Sequence, residues 1–196
     1  VSSASVQSHQ GVLQQNAMPS PMLSATQLKD GTLVALSTDS RLFKGSDGGV
    51  TWNGIQSSGH VDGKLYATDK DTLLAVNGKT IMRSATFGTS WTPEYTLMTN
   101  ESIWMFFEDS DFNIYGTVYS YGDTIGHAEL LRSIDDGLTW QQRAHWPAYK
   151  HCHDVFVNKF NGYIYVSLGD GPFALMRSKN NGQTWTNLYS ATLWTT

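Results

Sequence analysis

The sequence predicts an all-β fold, a β-propeller of four-stranded antiparallel blades with four blades visible, and three observations predict it. Trp52, Trp91, Trp140 and Trp185 recur at spacings of 39, 49 and 45 residues, which is the length of a propeller blade. The eight residues ending at each Trp share one pattern: GSDGGVTW (45–52), SATFGTSW (84–91), SIDDGLTW (133–140) and SKNNGQTW (178–185). Between these segments run short alternating stretches punctuated by turn residues, with no persuasive helical period.

Taken in order, the alternation places blade one at 21–56, blade two at 60–96, blade three at 101–145 and blade four at 151–189. Turns such as Lys29-Asp30-Gly31, Asn77-Gly78 and Asn161-Gly162 fall where hairpins need them. Residues 1–20 are rich in Ser and Gln and read as an arm, a linker or a closing strand. Residues 191–196 read as a tail or the start of a further blade. The chain is therefore either a ring of four blades or part of a larger propeller, and open sheet edges would call for self-association or a larger assembly.

The repeated segment has a structural chemistry of its own. An Asp or Asn side chain accepts hydrogen bonds from backbone N–H groups about two residues on and closes a tight turn. The Gly found in every copy (Gly49, Gly88, Gly137, Gly182) supplies a positive-φ position. The Trp is expected to open the outermost strand and bury its ring between neighbouring strands. A basic residue precedes each copy: Lys44, Arg83, Arg132 and Arg177. These segments resemble the Asp box, S-x-D-x-G-x-T-W, also called the bacterial neuraminidase repeat. Ser133, Asp135, Gly137, Thr139 and Trp140 match it fully. The first copy keeps Asp47, Gly49, Thr51 and Trp52 but has Gly45 for Ser. The last keeps Ser178, Gly182, Thr184 and Trp185 with Asn180 for Asp. The second has Thr86 for Asp and Ser90 for Thr, and keeps Gly88 and Trp91. On this reading the carboxylates are turn formers, not catalysts.

Composition narrows the partners. Charged residues are 15% of the chain and the formal net charge is −4, which gives no reason to expect nucleic acid or anionic membrane. No stretch approaches the ~20 apolar residues of a membrane span. A single cysteine, Cys152, rules out an internal disulfide. No basic-plus-apolar leader is present at Val1, so the chain reads as processed, trimmed or numbered from an internal start.

Up-and-down connectivity puts the repeated turns and the first-to-second strand turns on one face. The second-to-third strand loops and the blade crossings gather on the other. The candidate ligand-binding residues of that loop face are His60, Glu101, Asp123, His127, Tyr149 and Asp170. The longest loop there is Ser120–His127, and long insertions on rigid scaffolds tend to carry function. His151 and His153, at i and i+2, are expected to project from one face of a strand. With Asp154 they are the catalytic candidates, a neutral His serving as general base on a bound sugar. No cofactor is demanded; a divalent metal enters if His127, His60 or Asp170 joins the two histidines as a third ligand. Against these stands a plainer reading, in which the histidines are hydrogen-bonded residues of a wet channel. Cys152 is expected to point into the blade packing. Trp104, Phe106, Tyr115, Tyr119, Tyr163 and Tyr165 read as core rather than as a sugar platform.

The resemblance spans about residues 21–190 and implies a sialidase-like superfamily in the broad sense. That group holds sialidases, xyloglucan-active glycosidases, sorting-receptor ectodomains, photosystem assembly factors and phage proteins. A sialidase would show an Arg-Ile-Pro motif and an arginine triad. No such motif occurs, and Arg83, Arg132 and Arg177 belong to the turn face, leaving Arg41 and Arg143. The expectation is a non-catalytic recognition or structural propeller, extracellular or virion-associated, that binds glycan or protein. The alternative is a carbohydrate-active enzyme, hydrolase or lyase, with its site at the histidine cluster.

Overall fold

A computed structural model describes residues 20–121 and 126–191. The described chain folds into sixteen strands in four antiparallel four-stranded sheets, with no helix among them. Blade one is β1 (Met22–Gln27), β2 (Leu33–Ser37), β3 (Leu42–Gly45) and β4 (Asn53–Ile55). Blade two is β5 (Tyr66–Ala67), β6 (Leu73–Asn77), β7 (Thr80–Ser84) and β8 (Thr92–Thr96). Blade three is β9 (Glu101–Glu108), β10 (Ile114–Ser120), β11 (Ala128–Ser133) and β12 (Gln141–Trp146). Blade four is β13 (His151–Val157), β14 (Ile164–Gly169), β15 (Phe173–Ser178) and β16 (Thr186–Ala191). Within each sheet the strands lie in sequence order, the up-and-down arrangement of propeller blades. Asp123 lies outside the described residues.

Blade two departs from expectation at its inner strand, which alternation extends over 61–67 but which pairs only at Tyr66–Ala67. The Asp62 and Gly63 N–H groups both donate to the Val76 carbonyl, and Gly63 lies so close to Val76 that an added Cβ would sit 3.0 Å from its Cβ. One carbonyl serving two donors cannot continue a regular ladder. Side chains of the preceding blade make up part of the loss. Leu65 N–H donates to Ser24 Oγ at 3.1 Å and Ala67 N–H to Thr26 Oγ1 at 2.9 Å.

The repeated turn closes by one device in all four blades. Asp135 Oδ1 accepts the Thr139 N–H at 2.8 Å, and Thr139 Oγ1 donates to Oδ2 at 2.6 Å. Asp47 holds Thr51 in the same way, at 3.0 and 2.6 Å. Asn180 Oδ1 accepts from Thr184 N–H while its amide donates to the Thr184 hydroxyl. Thr86 accepts from Ser90 N–H at 3.0 Å and lies 2.8 Å from its hydroxyl, so the degenerate copy keeps the geometry with two hydroxyls. The reach is therefore four residues, not the two expected. It is longer because the loop carries two successive left-handed residues, such as Asp136 (φ 61°) and Gly137 (φ 81°), before the chain turns back. Ser84, Ser133 and Ser178 each add a second hook, accepting the N–H of the Gly four residues on. The Trp does not open the outer strand, which starts one residue later. In three copies its ring folds back to donate Nε1–H to the turn's own Gly carbonyl, as Trp140 does to Gly137 at 3.0 Å.

Three apolar clusters glue successive blades together. One joins blades one and two through Val34, Leu36 and Leu42 against Leu73, Ala75 and Met82. A second joins two and three through Leu74, Val76 and Ile81 against Ile114, Val118 and Leu131. A third joins three and four through Tyr115, Leu130 and Trp146 against Val155, Val166 and Leu168. Each buried Leu or Ile contributes about 1.5–3 kcal/mol. Among the described residues no such cluster joins blade four to blade one, and the arc is open. Its far face shows this directly. Leu175 and Phe156 are 37% and 52% exposed, whereas their register equivalents in blade three are Leu130, fully buried, and Phe107, packed on the core.

The turn glycines also dock into the preceding blade. A Cβ at Gly137 would meet Leu74 Cδ2 at 2.6 Å, while one at Gly78 would meet nothing within 4 Å. Gly78→Ala therefore carries only the backbone penalty of its left-handed φ, about 1 kcal/mol. Gly137→Ala adds a collision with a packed core residue and is expected to cost at least about 2 kcal/mol, read as the difference in urea unfolding free energies.

Candidate functional site

The inner strands of blades one, three and four share one irregularity. Each carries a β-bulge that inserts an unpaired residue. In β1 pairing skips Leu23, in β9 it skips Trp104, and in β13 it skips His153. A bulge re-aims its side chain and breaks the strict alternation of faces. Cys152 and Val155, three residues apart, both enter the core between blades three and four, which alternation alone forbids. His151 and His153 do share one side, as the i, i+2 spacing predicts, with ring centroids 5.7 Å apart, and the break in alternation falls beyond them, between Cys152 and Val155. Gly169 opposite makes room for His153, since a Cβ there would lie 2.6 Å from its Nε2.

Around these bulges the structure assembles an aromatic shelf on the loop face. Tyr119 stacks on His151 with ring centroids 3.8 Å apart and planes 6° apart, and Trp104 stacks on Tyr119 at 4.7 Å. Lys64 Nζ caps the Trp104 ring at 4.6 Å, a cation–π contact. Tyr121 flanks Tyr119 at 5.4 Å and is largely exposed. Lys64, Trp104 and Tyr121 line a cavity of about 230 Å³ together with Leu23, Asp62 and Ile103. Trp104 is 39% exposed, while Phe106 and Tyr115 are buried. The sequence expectation of core therefore holds for Phe106 and Tyr115 and fails for Trp104, whose bulge turns it outward.

The shelf ends in an ionic group. His151 Nε2 lies 3.2 Å from Asp170 Oδ2, His153 Nε2 lies 3.7 Å from Asp170 Oδ1, and Tyr119 Oη is 3.5 Å from Oδ2. Asp170 is held in a left-handed conformation (φ 64°) in the β14–β15 loop. The Ser120 N–H donates to His151 Nδ1 at 3.3 Å, so the neutral ring carries its proton on Nε2, facing Asp170. Burial pulls the His151 pKa below its ordinary value against the opposing pull of Asp170, and His153, Lys150 and His127 lower it further. Burial, then Asp170, raises the Tyr119 phenol above its usual value. Among the described residues no group of three or more His, Cys, Asp or Glu side chains is placed to hold a metal ion.

The remaining candidates fall elsewhere. Glu101 is buried and lies 2.7 Å from His127 Nδ1, while its other oxygen accepts the Met98 N–H. This pair ties the base of the long loop to the start of β9. Gly126 strengthens the tie, its N–H donating to the Tyr149 carbonyl and its carbonyl lying 2.9 Å from His145 Nε2. Tyr149 packs against the core between blades three and four. His60 stands 3.9 Å from Asp62 at an exposed crossing. Asp154 is exposed and forms no ion pair with either histidine among the described residues. Cys152 is fully buried, and burial raises its thiol pKa well above the ordinary value, which leaves it a core side chain. Lys64 escaped sequence reasoning, since it lies in no motif, whereas Tyr121 falls in the long loop singled out above but was not itself named as a site residue.

A neutral, buried His151 makes stability depend on pH. Its folded-state pKa lies below the unfolded value near 6.5, so the unfolded chain takes up a proton first as pH falls. The contribution is complete above about pH 6.5 and is lost on acidification below it. The urea midpoint is expected to decline from pH 7 to pH 5, and His151→Phe is expected to flatten that limb.

No family model and no curated protein matches the sequence. Solved structures do match. An enzyme described as GH74 from Niastella koreensis superposes with a TM-score of 0.61 at 23% identity, covering 84% of this chain and 24% of that one. YCF48 bound to a D1 peptide gives 0.58 at 19% identity, covering 88% and 55%. The extracellular domain of a putative one-component system from B. thetaiotaomicron gives 0.64 at 10% identity, covering 88% and 23%. The chain spans from about a quarter to just over half the length of these structures. Its four sequential four-stranded sheets and this set of neighbours make the fold that of a β-propeller.

Proposed function

We propose that the chain is a recognition propeller of the Asp-box type, non-catalytic, working outside the cell or on a virus particle. The turn chemistry supports the Asp-box assignment, because all four copies close through the same hydrogen bonds. The observation that carries the function is the Lys64–Trp104–Tyr119–His151 stack on the loop face, exposed at Lys64 and Trp104 and backed by the buried His151. Flat apolar rings bordered by a cation, two histidines and a carboxylate suit the alternating C–H and hydroxyl faces of a sugar, and a glycan is the favoured ligand. A protein ligand is the second form of the same reading, supported by the neighbour solved with a peptide bound. The exposed far face of blade four supports membership in a larger assembly.

The alternative, a carbohydrate-active enzyme, draws on Asp170 with His151 and Tyr119 and on the neighbours described as GH74 enzymes. Glycoside hydrolysis in its usual form needs two carboxyl groups flanking the scissile bond. At the shelf Asp170 is met by two histidines and a phenol, which suits a hydrogen-bonding role better than acid–base work by paired carboxylates.

A glycan array followed by calorimetry on the best ligand tests this reading. Trp104→Ala and Tyr119→Ala are each expected to weaken binding about tenfold or more while the unfolding transition stays cooperative. Turnover of a polysaccharide panel, abolished by Asp170→Asn, would overturn it in favour of the enzyme.

A further inference from the structure

On the turn face, opposite the shelf, Arg83, the basic residue before the second repeated turn, meets the turn of the following blade. Arg83 Nε donates to the Asp136 carbonyl at 2.8 Å and Nη2 to Asp136 Oδ2 at 2.8 Å. The Thr68 and Thr72 hydroxyls donate to the same carboxylate at 2.9 and 2.6 Å. The pair is largely buried, with side chains 14% and 12% exposed.

One blade on, the same position lacks its carboxylate. Arg132 pairs across its sheet with Tyr115 as Arg83 pairs with Leu74. The place of Asp136 in the next turn is taken by Asn181, and both residues are left-handed, at φ 61° and 59°. The Asn181 carbonyl is already taken by Arg143 Nε at 2.6 Å. Arg132 keeps one bond, from Nη2 to Asn113 Oδ1 at 2.8 Å, and its Nε is buried with no hydrogen-bond partner. Beside it opens a cavity of about 680 Å³, lined by Arg132, Lys159, Lys179, Asp109, Asp111 and Asn181 among others. The Asp109 carboxylate also lines the cavity, held by the Asp111 N–H, the Asn113 backbone and side chain and the Tyr115 hydroxyl, and it forms no ion pair with Arg132 among the described residues. Among the described residues Arg132, Lys159 and Lys179 form no ion pair. A partly buried guanidinium without a carboxylate favours an anion that can desolvate with it.

We propose that the groove between blades three and four binds an aspartate or glutamate side chain of an acidic partner peptide, which takes at Arg132 the place Asp136 takes at Arg83. The chain itself supplies the precedent, a protein carboxylate presented to an arginine from a tight turn. This site is independent of the aromatic shelf and stands whether or not the shelf binds a glycan.

Arginine side-chain N–H resonances of the ¹⁵N-labelled protein report on it residue by residue. A capped Asp-Gly dipeptide at low salt is expected to shift the Arg132 signal saturably and leave that of Arg83 in place. A capped Asn-Gly dipeptide is expected to shift neither. Asn181→Asp installs the missing carboxylate within the chain, so it should abolish the response and raise the urea midpoint. Arg132→Gln, with the folded spectrum retained, should abolish binding by calorimetry. An unmoved Arg132 signal, an equal response to the Asn-Gly dipeptide, or a response that survives either substitution would overturn the proposal.

Discussion

A side chain that hooks a backbone N–H four residues ahead is the contact on which the architecture depends. It lets each blade end its third strand, pass through two left-handed residues and return as a fourth strand in a fixed orientation. That orientation presses the turn glycine against the preceding blade, where Gly137 lies over Leu74 and Gly88 over Leu42. Local hydrogen bonding and inter-blade packing are therefore one event. The second copy shows that the chemistry matters more than the letters, since Thr86 and Ser90 reproduce with hydroxyls what Asp and Thr do elsewhere.

The fold was legible because its signals are local and repeated. Trp spacing, turn residues and alternation each report on a few neighbouring positions, and four copies average out the failures of any one. Blade two's inner strand was the exception, because Gly63 against Val76 is a contact between distant residues that no local pattern reveals.

The candidate site was legible only in part. His151, His153 and Asp170 were singled out and do come together, and the loop face does gather the second-to-third strand loops and the crossings. The aromatic half was missed. Trp104 sits within the continuous apolar run Ile103–Phe107, which reads as core, and the shift in pairing opposite Thr117 and Val118 turns it outward. Bulges leave no mark in composition, so a sequence reading assigns such residues to the wrong side. Glu101 and His127, polar and close to the crossing, meet each other, and the buried Glu101 joins the base of the loop to the start of β9.

The unpaired residues of the inner strands also separate two kinds of selection. Positions 23, 104 and 153 stand outside the hydrogen-bonded ladder, so exchanging their side chains leaves strand register and blade stacking intact. Leu, Trp and His at equivalent places already sample three unlike chemistries on one frame. Such a scaffold can acquire new tastes by drift at a few positions that the ladder leaves free, without renegotiating the blades that carry them.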